Sequence, residues 1–273
     1  MVASTTLRIW GRAGARPPGR VRGLPFLSVA SLVIIFALWQ LSGRILNPLF
    51  VSTPSATAMA FLREVTTGQL PGAFAESAIE MLIGFAIAAT VGVALGVLMS
   101  AFAVLRRALS PFVAFGNASP GVAILPVLII WFGLGGVARV TFIALLAVWT
   151  MAINSLAGIE NLDVRYREVG LVFGLRRIQM VRKVIIPGAM PYLLTGARIA
   201  LAQCAVGMIL SGSEIGYSGL GGLATTFGTE SRTPSLMAVI FASTGLALIL
   251  FGCLGVVRHF WFSWIGDLAQ VRG

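Results

Sequence analysis

The sequence predicts an all-α membrane protein of about six transmembrane helices, and three observations carry that prediction. The 273 residues are 58% hydrophobic and only 11% charged, with a mean hydropathy of +0.94. A soluble domain has about 25% charged residues, so this chain has too little polar surface to cover a globule in water. Apolar runs of roughly 20 residues, the length of a spanning helix, recur along it. None of them alternates as a β-barrel strand does, so helices are the way to satisfy the backbone in lipid.

In order, the runs are 24–43, 81–105, 108–138, 140–159, 188–213 and 233–257. Only 188–213 holds a charge, Arg198. Residues 1–23 are rich in Arg, Gly and Pro and are expected to form a disordered basic tail. The first run has full span length, and no small-x-small cleavage site follows it closely. It is therefore expected to stay as a helix rather than be removed as a secretory signal. Residues 24–273 then form one transmembrane domain.

A polar stretch punctuated by Pro48, Pro54 and Pro71 follows, with a short amphipathic helix expected at 55–67 on the outer face. The second run carries Gly92 and Gly96, a spacing that lets membrane helices approach closely, although one such match is common. The third run is the unusual one. Pro111 can start a helix, and Pro120 and Pro126 then lie inside it, each removing a backbone donor. Asn117 and Ser119 stand beside the first break. Two readings fit: a plain kinked helix, or a break that lines a solute path, where freed backbone groups are tolerated.

Between the fourth and fifth runs lies the densest charge cluster in the chain. From Glu160, apolar residues fall at Leu162, Tyr166, Val169 and Phe173, one helical stripe. Gly174 follows as a terminator, and a second short stripe of Ile178, Val181 and Ile185 ends at Pro187. Two short amphipathic helices at a glycine bend are expected. A helix lying on the membrane surface is the simpler reading. It needs neither the bend nor Glu168 within the stripe, whereas docking a soluble partner uses both.

The net charge of +11 suggests nucleic acid on a soluble protein. Here the distribution explains it. Arg44, Arg63, Arg139 and Arg232 fall in loops on one side; apart from Arg198, all the other basic residues of the 20 fall on the opposite side. That bias places both termini in the cytoplasm. Cys204 and Cys253 sit in apolar runs as small hydrophobes. With the lone His259 they are too few ligand types for a metal site.

The segment "REVGLVFGLRRIQMVRKVIIPGAMPYLLTGARIAL" resembles the coupling loop of binding-protein-dependent ABC importer permeases. That loop reads E-A-A, three residues, G, about nine residues, then an apolar residue and Leu-Pro. Glu168 matches the acid, Gly174 the glycine and Ile186-Pro187 the ending, while Val169-Gly170 replaces Ala-Ala. "LPVLIIWFGLG", "GSEIGYSGLGGL" and the set Pro187, Pro191, Gly196 and Arg198 are similar to the nitrate, sulfonate and taurine branch. The likeness covers roughly 52–273. Two positions depart: the branch usually has Arg where Glu80 stands, and Arg-x-x-Pro where Asn117-Ala118-Ser119-Pro120 stands. Two positive charges are lost, which implies a neutral or less acidic solute.

The resemblance implies a type I importer bundle in the bacterial inner membrane, with a coupling loop at about 160–187. It implies two permeases, commonly identical, two cytoplasmic ATP-binding subunits docked on the loops, and a periplasmic or lipid-tethered receptor. Glu168, Val169, Gly170, Phe173, Gly174 and Pro187 would couple to the ATPase, and Asn117, Ser119 and Glu214 would line the path. No metal or cofactor is expected on this chain, and ATP with Mg²⁺ would belong to the partner. Lys183 is the one lysine, it precedes valine, and no Walker A motif is possible. A gradient-driven transporter would need titratable groups at mid-membrane, for which Glu80, Arg198 and Glu214 are the candidates. An intramembrane serine protease would need Ser218 within reach of His259, and the expected topology puts them about 30 Å apart, on opposite faces.

Overall fold

A computed structural model describes residues 24–47 and 50–261. The expected tail, residues 1–23, lies outside them, as do Pro48 and Arg272. The described residues are helical with short connections, and no strand forms among them.

The first apolar run forms α1 (Leu24–Ile45). Helix α2 (Pro54–Thr66) coincides with the expected amphipathic segment. Thr53 caps it, its Oγ1 accepting from the Ala56 N–H at 3.2 Å, and Pro54 occupies the first turn, where its missing donor costs nothing. Helix α3 (Gln69–Ala101) begins well before the expected residue 81. Its early turns hold Glu76 and Glu80, ahead of the apolar run. They are accommodated because Arg139 pairs with both.

The expected run 81–105 is split at Phe102, which is extended (φ −127°, ψ 107°). Helix α4 (Ala103–Ala118) then holds Pro111 in its interior rather than at its start. The carbonyl that loses its partner is that of Arg107, an exposed residue. Ser119 and Pro120 are extended, as the residue before a proline prefers. A 3₁₀ turn (Gly121–Ile124) leads into α5 (Leu125–Phe132), where Pro126 sits in the first turn. Neither Pro120 nor Pro126 therefore lies in a helix interior. The third run is a broken pair whose halves meet at 103°.

Helix α6 (Gly136–Glu160) is the central element. After it come α7 (Val164–Val172) and α8 (Arg177–Met180), then a π-turn (Val181–Ile185) that runs without interruption into α9 (Ile186–Glu214). Pro187 does not stop this helix, as sequence reading expected. The wider π-turn just ahead of it makes room for a residue that cannot donate to the preceding turn. Helices α10 (Gly219–Thr229) and α11 (Thr233–Trp261) complete the bundle. By length and composition α3, α6, the 177–214 helix and α11 can each cross a membrane, and the bent pair is either a fifth, broken span or a re-entrant loop.

The core is α3 laid along α6, with α9 on the other flank of α6. Gly84, Ala88, Gly92 and Gly96 recur every fourth residue and form one flat ridge on α3. A Cβ at Gly92 would lie 2.4 Å from the Met151 Cβ, and one at Gly96 would lie 2.4 Å from the Ser155 Cβ. The two backbones approach as small-residue membrane interfaces do.

Candidate functional site

Three groups of residues stand out from this scaffold. The first is the turn between α7 and α8. Asp163 caps α7, its Oδ1 accepting from the Arg165 N–H at 3.0 Å. The helix ends in a Schellman motif: Gly174 takes φ +67°, its N–H donates to the Leu171 carbonyl at 2.9 Å, and the Leu175 N–H donates to the Gly170 carbonyl at 3.1 Å. Gly170 is buried against Met180, where a Cβ would come within 2.6 Å of the thioether. Gly170 and Gly174 thus fix the shape of the turn, one by close packing and one by backbone conformation.

Tyr166, Val169 and Phe173 of the expected stripe are exposed, Phe173 at 78%. Leu162 is not part of that surface. It precedes the helix and packs on Gly188 of α9, because α6 ends at Glu160 and the chain restarts at the Asp163 cap. Val172, 86% exposed, and Ile178 extend the apolar surface instead. A single-stripe count left Val172 out because the surface wraps around the helix end. Glu168 is exposed and makes no ion pair among the described residues. Pro187 is half-buried at the point where the turn feeds α9.

The second group lies at the middle of the bundle. Asn117, near the end of α4, is exposed. Thr150 of α6 is 6% exposed, and its Oγ1 lies 3.2 Å from Asn117 Oδ1 and 2.9 Å from Gln203 Oε1 on α9. One turn along α6, Asn154 Nδ2 donates to the Thr150 carbonyl at 2.9 Å. Ser119 is half-buried at the break two residues beyond Asn117. Sequence reading found Asn117 and Ser119 but missed Thr150 and Gln203. Single polar residues in long apolar runs were the available signal.

The third group ties α3, α6 and the α9–α10 loop together. Arg139 Nε donates to Glu80 Oε1 at 2.8 Å, Nη2 to Glu76 Oε1 at 2.8 Å, and Nη1 to the Ile215 carbonyl at 3.3 Å. Glu76 also accepts from the Ser218 hydroxyl and, at 3.1 Å, from the Gly219 N–H that opens α10. Glu80 is therefore the internal partner of an arginine rather than a residue facing a path. Glu214 stands apart from this cluster, exposed at the end of α9. Ser218 is committed to Glu76, and the side chain of His259 lies outside the description.

Comparison with known proteins fits this arrangement. Residues 88–264 match the family described as the binding-protein-dependent transport system inner membrane component. The chain belongs to that family. Among relatives, it is 28% identical to the putative aliphatic sulfonates transport permease protein SsuC of Bacillus subtilis, over 84% of this chain and 85% of that one. It is 27% identical to the bicarbonate transport system permease protein CmpB of Synechococcus elongatus, over 95% and 96%. The taurine transport system permease protein TauC of Escherichia coli is 25% identical, over 89% and 90%. An inward-facing structure of the MetNI methionine ABC transporter shares the fold, with TM-score 0.61 and 21% identity over 71% of this chain and 97% of that one.

This family member is the multi-pass permease subunit of an ABC importer, a transport component rather than an enzyme. Such a subunit works with an ATP-binding subunit and a substrate-binding protein. The gradient-driven and protease readings give way to that membership.

Proposed function

We propose that this permease works as one of two identical copies in a bacterial inner membrane, passing a small polar solute inward by ATP-driven alternating access. The observation that carries the proposal is the exposed apolar surface of Tyr166, Val169, Val172 and Phe173. It is held on a capped glycine turn, at the foot of a helix that continues without a break to Glu214. An ATP-binding subunit in the cytoplasm would bury that surface.

In this reading Val169 and Phe173 fill a groove on the ATPase. Glu168 meets a donor there, Gly170 and Gly174 set the shape, and Pro187 marks where loop motion enters the membrane helix. ATP and Mg²⁺ stay with the partner, since the sequence has no phosphate-cradling glycine–lysine motif. A periplasmic or lipid-tethered receptor delivers the solute, and Asn117 and Ser119 line its path, with Glu214 at the outer mouth.

Relatives named for sulfonates, bicarbonate and taurine leave the solute open. Asn117, in place of the usual Arg, supports a neutral or less acidic one. Glu80 no longer adds to that argument, because its charge is answered by Arg139.

The test is reconstitution of the permease with its ATP-binding subunit and receptor in proteoliposomes. Uptake should require ATP and survive collapse of proton and sodium gradients. Uptake abolished by ionophores, or sustained ATP hydrolysis by this chain alone, would refute the reading.

A further inference from the structure

We propose that Thr150, Gln203 and Asn117 form a solute-selecting site that takes neutral solutes bearing a hydrogen-bond donor and an acceptor side by side, such as an amide, a urea or an aminopyrimidine. The proposal rests on the transport reading above and adds the chemistry of what passes.

The argument begins with depth. Thr150 and Gln203 lie near the midpoints of α6 and α9. Polar side chains that far from either water face are costly unless paired. Three helices bring theirs to one point, and the chain break at Ser119–Pro120 opens beside it.

Hydrogen-bond arithmetic then gives the specificity. A threonine hydroxyl has one proton and two acceptor positions. It can donate to only one of the two amide oxygens that face it. The other amide completes the set by turning its NH₂ toward Thr150 Oγ1, since an amide can present either end. The first amide is then left with a free NH₂, and the second with a free carbonyl. Ordinary interhelical pairing would use both within the protein. Here Asn117 is exposed and Gln203 half-buried, and neither amide makes another hydrogen bond among the described residues, so both unused ends are available. A free NH₂ and a free C=O, on two amides that meet the same hydroxyl, complement a solute with an acceptor and a donor.

Nitrate or an alkyl sulfonate presents acceptors alone and leaves the carbonyl end unpaired, which is the stronger form of rejection. Among the described residues no guanidinium or ammonium is paired with this cluster to attract them.

The experiment uses the permease–ATPase assembly in lipid nanodiscs, after ATP-driven uptake by that assembly has been established. Failure here then leaves the transport function standing. Ser119→Cys is introduced with Cys253→Ser, and Cys204 is fully buried. The rate of labelling by a small thiol reagent is measured with millimolar acetamide or cytosine, and with nitrate or methanesulfonate.

Acetamide and cytosine should slow labelling, and the two anions should not. Gln203→Met, close in shape but without hydrogen-bonding groups, should weaken protection about fivefold to tenfold, the loss of one hydrogen bond. Thr150→Ser, which keeps the hydroxyl, should retain it. Co-purification of the ATPase checks that each variant is assembled. Equal protection by nitrate, no protection by any probe, or full protection in an assembled Gln203→Met variant would overturn the proposal.

Discussion

Arg139 reaches Glu80 with two of its nitrogens, Nη2 at 2.7 Å and Nε at 2.8 Å, and both residues are buried at the α3–α6 contact. The pair joins elements that lie 59 residues apart in sequence. Arg139 answers the buried Glu80 and the partly exposed Glu76 together.

Removing only one partner therefore strands a buried charge. Arg139→Met should destabilise the protein by about 3–5 kcal/mol, read as a lower thermal midpoint in detergent. The double variant Arg139→Met with Glu80→Leu should recover much of that loss, because Glu76 is partly exposed and can stay solvated. A single variant as stable as the parent would show that the pair contributes nothing.

Gly174 holds φ +67°, and nothing lies within 4 Å of where its Cβ would stand. The cost of a side chain there is thus backbone strain alone. Gly174→Val should cost about 1–3 kcal/mol of local order, weaken association of the ATP-binding subunit and uncouple hydrolysis from uptake. Membrane level should be normal, since no span is touched. Gly174→Asn, which tolerates the left-handed region, should fall between the two. Normal uptake and ATPase binding in the valine variant would return Gly174 to an ordinary turn.

Gly92 presents the opposite case, with ordinary φ but no room. A Cβ would meet the Met151 Cβ at 2.4 Å and the Val148 carbonyl at 2.8 Å. Gly92→Val should push α3 from α6 at a cost of about 1–3 kcal/mol or more. The signature is loss of folded protein from the membrane, not uncoupling. Wild-type expression and thermal stability would contradict the close-packed ridge.

Topology is open to a direct check. A cysteine at the exposed position Arg176, in a Cys253→Ser background, should react with an impermeant thiol reagent only when the cytoplasmic face is opened. Labelling in intact cells would invert the orientation drawn from the basic residues.

Much of this architecture was legible in the chain. The runs that became α6 and α11 have no competing signal, and Gly174 closes its helix as expected. Proline was harder to interpret, because its effect depends on where the helix begins. Pro126 is harmless in a first turn, Pro111 survives where its freed carbonyl is exposed, and Pro187 is absorbed by a π-turn. Each looks the same in a string of letters. Glu80 was misjudged for a different reason. A charge marks the edge of a span unless something distant neutralises it, and the sequence does not name the partner. Gln203 was hidden likewise, since a lone amide in an apolar run acquires meaning only when Thr150 and Asn117 meet it.

The unbroken helix from Arg177 to Glu214 has a mechanical consequence. Its 38 residues make a strut about 57 Å long, and a hydrogen-bonded helix neither stretches nor shortens appreciably under load. Leu162 bears on it at Gly188, which leaves a short arm of about 16 Å below and a long arm of about 39 Å above. If ATPase docking turned the helix about that contact, a push of about 2 Å at the foot would arrive as about 5 Å at the head. One residue past the head is Ile215, whose carbonyl is held by Arg139. In the proposed transport cycle, work done on the foot beside the coupling turn would be delivered, with a gain in travel, to the opposite end of the helix.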